Sequence, residues 1–332
     1  MSRTNLRSAG HITGLVATVL SLALAFVLFL NRQYIADQIT VWQYQPASEI
    51  ISFADRSGMN DGGKFAFYAS QPSLESAQSF NDKCDRKEES TAILGCYNGH
   101  TIYIYDVTNQ QLDGIREVTA AHEMLHAAYD RMSDSERQRV NTLIEAEYEK
   151  LKNQSDFSER MAFYDRTEPG ERDNELHSII GTEVRDINVD LEAHYKKYFS
   201  DRSKVVALHS QYATVFSNLQ SRADELSNQL TSLGEIIKSK TQTYNAQVSS
   251  LNASVQSFNA RANKGDFASQ SEFNAERSTL QSRADELDAM RTQINNDIDS
   301  YNQIRSELIT IASQSEALNQ SIDSTLAPAP SV

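Results

Sequence analysis

Apolar and polar positions divide the chain into three stretches of different rhythm. Residues 13 to 30 are apolar or small, without one charged side chain. A run of that length suffices for roughly 30 Å of hydrocarbon, so it predicts a transmembrane helix over 13–31, between a short N-terminus at 1–12 and a linker at 32–60. From 61 to 203, aromatic residues, turn residues and mixed periodicities alternate, as expected of one compact domain. Beyond 204 the rhythm becomes uniform. Val205, Leu208, Tyr212, Val215, Leu219, Ala223 and Leu226 open a stripe with three- and four-residue spacing that continues through Phe258 and Ala262, a heptad seam. Asn263-Lys264-Gly265-Asp266 interrupts it, and a second stripe runs from Phe273 through Leu287, Ile294 and Ile322. Two long helices around one break predict an antiparallel coiled-coil hairpin over 204–324, ahead of a disordered tail at 325–332.

Charge and cysteine usage set the compartment. Arg3 and Arg7 precede the apolar run, which favours a cytoplasmic N-terminus with the remainder of the chain outside. No small-x-small cleavage site follows Leu30, so an uncleaved signal anchor is expected, single-pass in the cell membrane. Cys84 and Cys96 are the only cysteines, and an oxidising compartment would let them pair. The net charge of -14 excludes a nucleic-acid partner. Ser-Arg-Ala-Asp-Glu-Leu occurs at 221–226 and again at 282–287 in the same heptad phase, which is coiled-coil chemistry rather than a functional repeat. No nucleotide-binding fingerprint appears.

The middle stretch carries the chemistry. His100 to Asp106 and Lys64 to Ala69 read as strands by their aromatic and β-branched alternation. Val118, Ala121, Leu125, Ala128 and Met132 give a helical apolar stripe, with Thr119 or Asp113 able to cap its start. Within that helix lies His122-Glu123-Met124-Leu125-His126, an H-E-x-x-H motif. Histidines four apart share one helix face and can offer two imidazole nitrogens to one ion. Glu123, about 100° round the helix, can reach a water bound there.

A catalytic zinc usually takes a third protein ligand. Tyr129 and Met132 stand where the elongated metzincin motif has Gly and His, so that class is excluded. Glu175, in Asn174-Glu175-Leu176-His177-Ser178, resembles the third-ligand helix of the gluzincins, the thermolysin-like zinc peptidases. Glu183 returns to within about 80° of the same helical face and is the alternative ligand, with His177 a lesser one. The two glutamates can also divide the work, one binding zinc and the other orienting a histidine. The resemblance covers residues 61–203. It implies zinc held by His122, His126 and Glu175, Glu123 as general base, and a small sheet whose edge strand, for which His100 to Asp106 is the candidate, binds an extended peptide. Tyr164, His177, His194 and Arg172 are candidates to stabilise the oxyanion.

Together these features predict an α+β fold class: one transmembrane helix, a small zincin-like catalytic domain, and a long coiled-coil hairpin. The expected function is a membrane-anchored, extracytoplasmic zinc metallopeptidase acting on a peptide or protein, its coiled coil offering a surface for a partner or self-association. The alternative is an envelope adaptor working through the coiled coil, its zincin domain inactive or only binding metal.

Overall fold

The computed structural model describes residues 4–84, 93–154, 157–158, 161–162 and 170–325, with side chains from Val16 onward. Among the described residues, helix accounts for 77%, and the strands are three and short. The α+β expectation is therefore corrected to a predominantly helical fold.

The N-terminal expectation is corrected too. Helices α1 (Thr4–Leu30) and α2 (Arg32–Gln43) meet at a bend of 67°, and among the described residues no single helix is long and apolar enough to cross a membrane. The charge-free run breaks at Asn31, whose side chain donates back to the Val27 carbonyl at 2.8 Å. Residues 32–60, expected as a linker, hold α2 and then α3 (Ser48–Arg56), whose Ile50, Phe53 and Ala54 enter the core.

Lys64 to Ala69, read as a strand, lies in α4 (Asp61–Ala69). Two local features outweigh its aromatic alternation. Asn60 caps the helix by accepting from the Gly62 and Gly63 amides at 2.9 and 3.1 Å, which satisfies amides that a first turn leaves unpaired. The same glycines lie against the backbone of Lys197 and Tyr198, where a Cβ would come within 2.2 Å of a carbonyl oxygen.

The sheet comprises β1 (Ser73–Glu75), β2 (Gly95–Tyr97) and β3 (Ile102–Tyr105), in the order β1-β3-β2. Strand β3 pairs parallel with β1 and antiparallel with β2. The segment expected at the edge is thus the centre, and β2 is an outer strand. A disulfide joins Cys84 to Cys96, with Cα atoms 6.0 Å apart, and tethers β2 to the turn after the short helix α5 (Ala77–Asn81).

Three helices build the core behind the sheet: α6 (Ile115–Asp130), α7 (Asp134–Leu151) and α8 (Arg172–Glu183). Helix α6 is buried on nearly all sides, and Ala120, Ala121, Ala127 and Ala128 let neighbours approach closely. After α9 (Val189–Tyr195), two long helices follow, α10 (Ser203–Lys264) and α11 (Gln270–Ile322).

Two compact units result. The first holds Met1–Val215 with Asn319–Val332, and the second holds Phe216–Leu318. The first unit includes the start of α10, whose Val205 and Val206 belong to the core. It also includes the chain's return, where Ser324 and Asn81 exchange hydrogen bonds of 2.7 and 2.8 Å. Within the second unit the helices run antiparallel. Lys240 pairs with Asp297 at 2.6 Å, Arg222 with Glu307 at 2.6 Å, and Arg261 with Glu276. Leu226, Phe258, Leu287 and Ile294 are buried in the seam, and Phe258, Phe267 and Phe273 cluster where Gly265 turns the chain at φ 72°.

Candidate metal centre

Helix α6 is started by Gly114 in the left-handed region at φ 98°, where a side chain would be strained and its Cβ would sit 3.0 Å from that of Leu208. The helix then carries its polar residues into a buried setting. The Nε2 atoms of His122 and His126 face each other at 3.0 Å. Helix α8 brings Glu175 against both: its Oε2 lies 3.5 Å from His122 Nε2 and its Oε1 lies 3.4 Å from His126 Nε2. Close approach of the two helices depends on Gly181, where a Cβ would meet Leu125 Cδ1 at 2.4 Å and Tyr195 Cε1 at 2.7 Å.

These donors fit a small divalent ion. A tetrahedral zinc with bonds of about 2.0–2.1 Å spaces its ligand atoms about 3.3–3.4 Å apart, and the three observed separations bracket that value. Among the described residues, His122, His126 and Glu175 form the group whose ligand atoms all lie within 4.8 Å of one another. The Nδ1 of His126 lies 2.9 Å from Asn174 Oδ1, an acceptor. Nδ1 therefore carries the proton and donates, which leaves the Nε2 lone pair directed at the ion position. Asn174 is itself held by donating to Glu171 Oε2 at 3.1 Å.

Electrostatics point the same way. Burial lowers the proton affinity of His122, but the adjoining Glu175, with Glu123 and Glu183 adding their charge, outweighs it and raises the pKa above the ordinary histidine value. A negative potential that holds a proton also favours a metal cation.

Glu123 is buried and faces β2. A Cβ at Gly95 would come 2.7 Å from Glu123 Oε1 and 2.6 Å from Thr119 Cγ2, so only a glycine lets the strand lie this close. A cavity of ≈ 200 Å³ opens here, lined by Ile93, Gly95, Cys96 and Tyr97 from the strand side and by His122, Glu123, His126, Glu171, Asn174 and Glu175 from the helices. A larger cavity of ≈ 470 Å³ at Arg185, Glu192, Lys196 and Arg202 contains none of His122, His126 and Glu175.

The other sequence candidates lie elsewhere. Glu183 pairs with His209 at 3.3 Å instead of joining the histidine pair. His177 and His194 face each other through their Nε2 atoms at 2.9 Å in the core, and neither lines the cavity. Arg172 pairs with Glu145 and covers the Tyr148 ring at 4.5 Å. Tyr164 is outside the described residues. Sequence reasoning missed Asn174, Glu171 and Tyr97, which line the cavity. Asn174 had a signal, a polar neighbour of the proposed ligand on the same helix; the others meet the site only through folding. No family model, no curated protein and no solved structure matches the chain. The gluzincin resemblance thus rests on His122 to His126 and Glu175 alone.

Proposed function

We propose that the first unit is a zinc-dependent peptidase acting outside the cytoplasm at a membrane, with His122, His126 and Glu175 as ligands and Glu123 as general base. The observation that carries this reading is the convergence of the three ligand atoms at zinc-like spacing beside a buried glutamate in one cavity. A metal site serving structure alone has no use for that fourth group.

A zinc ion held by His122, His126 and Glu175 would supply Lewis acidity and would acidify a water towards neutral pH. Glu123, adjacent to ligand His122, takes a proton from the attacking water and returns it to the leaving amine. Strand β2 has an outer edge along the cavity, so an extended peptide can pair with its backbone and present a carbonyl to the site. The Cys84–Cys96 bridge is in keeping with an oxidising compartment.

Metal analysis and peptide cleavage by the full chain test this. The wild type and Glu123→Gln should each hold about one zinc, while cleavage by Glu123→Gln falls at least about 100-fold. Glu175→Ala should lose the metal and Glu183→Ala should retain it; the reverse pattern overturns the ligand set. A zinc-loaded wild type that cleaves nothing in a diverse peptide library overturns the peptidase reading.

A further inference from the structure

Helix α2 has two unlike faces. On one, Asp37 is only 5% exposed and receives two hydrogen bonds from Arg131, at 3.0 and 3.1 Å. Arg131 is the C-terminal cap of α6, the helix that carries both histidine ligands, and it also donates to Tyr97 of β2 at 3.3 Å. The other face holds Ile39 and Trp42, about 160° and 140° round the helix from Asp37. They are 49% and 85% exposed. Tyr34, about 60° from Asp37 and 57% exposed, rests its ring 5.7 Å from that of Phe65 on α4.

What covers this face follows from α1. Val19, Leu20, Leu22, Leu24, Phe26 and Leu28 are each between 49% and 66% exposed, and their helical phases cover every side. A helix that docks in a protein groove is apolar on one stripe, whereas one apolar all round belongs in a low-dielectric phase. Helix α2 follows α1 across the 67° bend, at which the Arg32 guanidinium lies 4.9 Å over the Phe29 ring. Tryptophan and tyrosine at the edge of an apolar segment, with an arginine at the boundary, are the composition of a bilayer interface.

We infer that α2 is an interfacial segment: its Ile39–Trp42 face lies in the headgroup layer of a lipid bilayer while its Asp37 face, clamped by Arg131, fixes the metal-binding domain to that layer. This rests on the membrane reading in the proposed function. It adds that the domain is docked rather than tethered, so the cavity keeps a set orientation to the lipid and takes peptide segments held close to the surface.

Trp42 is the only tryptophan of the chain, so its emission reports this face alone. The full chain is mixed with phosphatidylcholine vesicles, floated on a density gradient, and its quenching by acrylamide is compared with that of a free tryptophan amide. The expected result is flotation, a blue-shifted emission, acrylamide quenching reduced several-fold, and added quenching when the lipid carries brominated acyl chains. A chain that floats while Trp42 remains as quenchable as the free amide overturns the interfacial assignment and leaves the membrane reading standing. A chain that does not float overturns both. Protection that disappears on diluting the protein with excess lipid identifies a second copy as the occupant and overturns the lipid assignment.

Discussion

Asn174 decides which nitrogen of His126 faces His122 and Glu175. Its Oδ1 accepts a hydrogen bond from Nδ1 at 2.9 Å. Asn174→Ala should weaken zinc affinity about 10–100-fold, as loss of a partner behind a ligating histidine does, with little change in stability. Asn174→Asp keeps an acceptor and should recover most of the affinity. Competition against a chelator measures both, and an alanine variant with wild-type affinity removes the orienting role. The histidines were legible because i, i+4 spacing is a local property of helices. Glu175 was legible only by resemblance: helical phase alone admits Glu183 as well, and what separates the two is the packing of α8 on α6, with His209 on α10 taking Glu183.

Helix α8 reaches α6 closely enough to deliver Glu175 because Gly181 presents no side chain to Leu125 and Tyr195. Gly181→Ala improves helix propensity by up to about 1 kcal/mol, yet it drives a methyl to 2.4 Å from Leu125 Cδ1, and overpacking of this kind costs about 1–3 kcal/mol. The clash should win. Thermal unfolding should show a less stable protein, and metal analysis should show reduced zinc, because the displaced element carries a ligand. A variant of unchanged stability and full zinc content would mean that α8 can shift without moving Glu175. At this scale the long helices were plain in the sequence, since a heptad stripe repeats over many turns and averages out exceptions. Of the strands only β3 was, inside the alternating segment 100–106. Strands β1 and β2 have three residues each, too few for alternation to show, and β2 contains a glycine that alternation counts against but the close approach of Glu123 requires. Residues 64–69 alternate like a strand and are helical because the Asn60 cap and the glycine contacts decide the backbone first.

Over the whole molecule, all proposed zinc ligands and Glu123 lie in the first unit, and the stability of that unit should carry a histidine signature. His177 and His194 are buried against each other, linking α8 to α9, and the Tyr195 hydroxyl donates to the His177 carbonyl at 2.7 Å. Burial, reinforced by Lys197, pushes the His194 pKa down to about 4. Burial also holds His177 well below its ordinary value, with the neighbouring His194 contributing. In the unfolded chain both titrate near 6.5. Below that pH the unfolded state binds more protons than the folded one, so the stabilisation is complete above about pH 6.5 and drains as the pH falls towards about 4. For His194 alone the loss is on the order of 2–3 kcal/mol across that window. Urea unfolding of the chelator-treated chain at about pH 7.5 and about pH 5 measures it without proton competition at the metal ligands. The midpoint should fall on acidification, and in His194→Asn the fall should be distinctly smaller, even if that variant is less stable at the higher pH. Equal falls in the two proteins would assign the acid sensitivity to other groups and would leave the histidine pair a packing contact only.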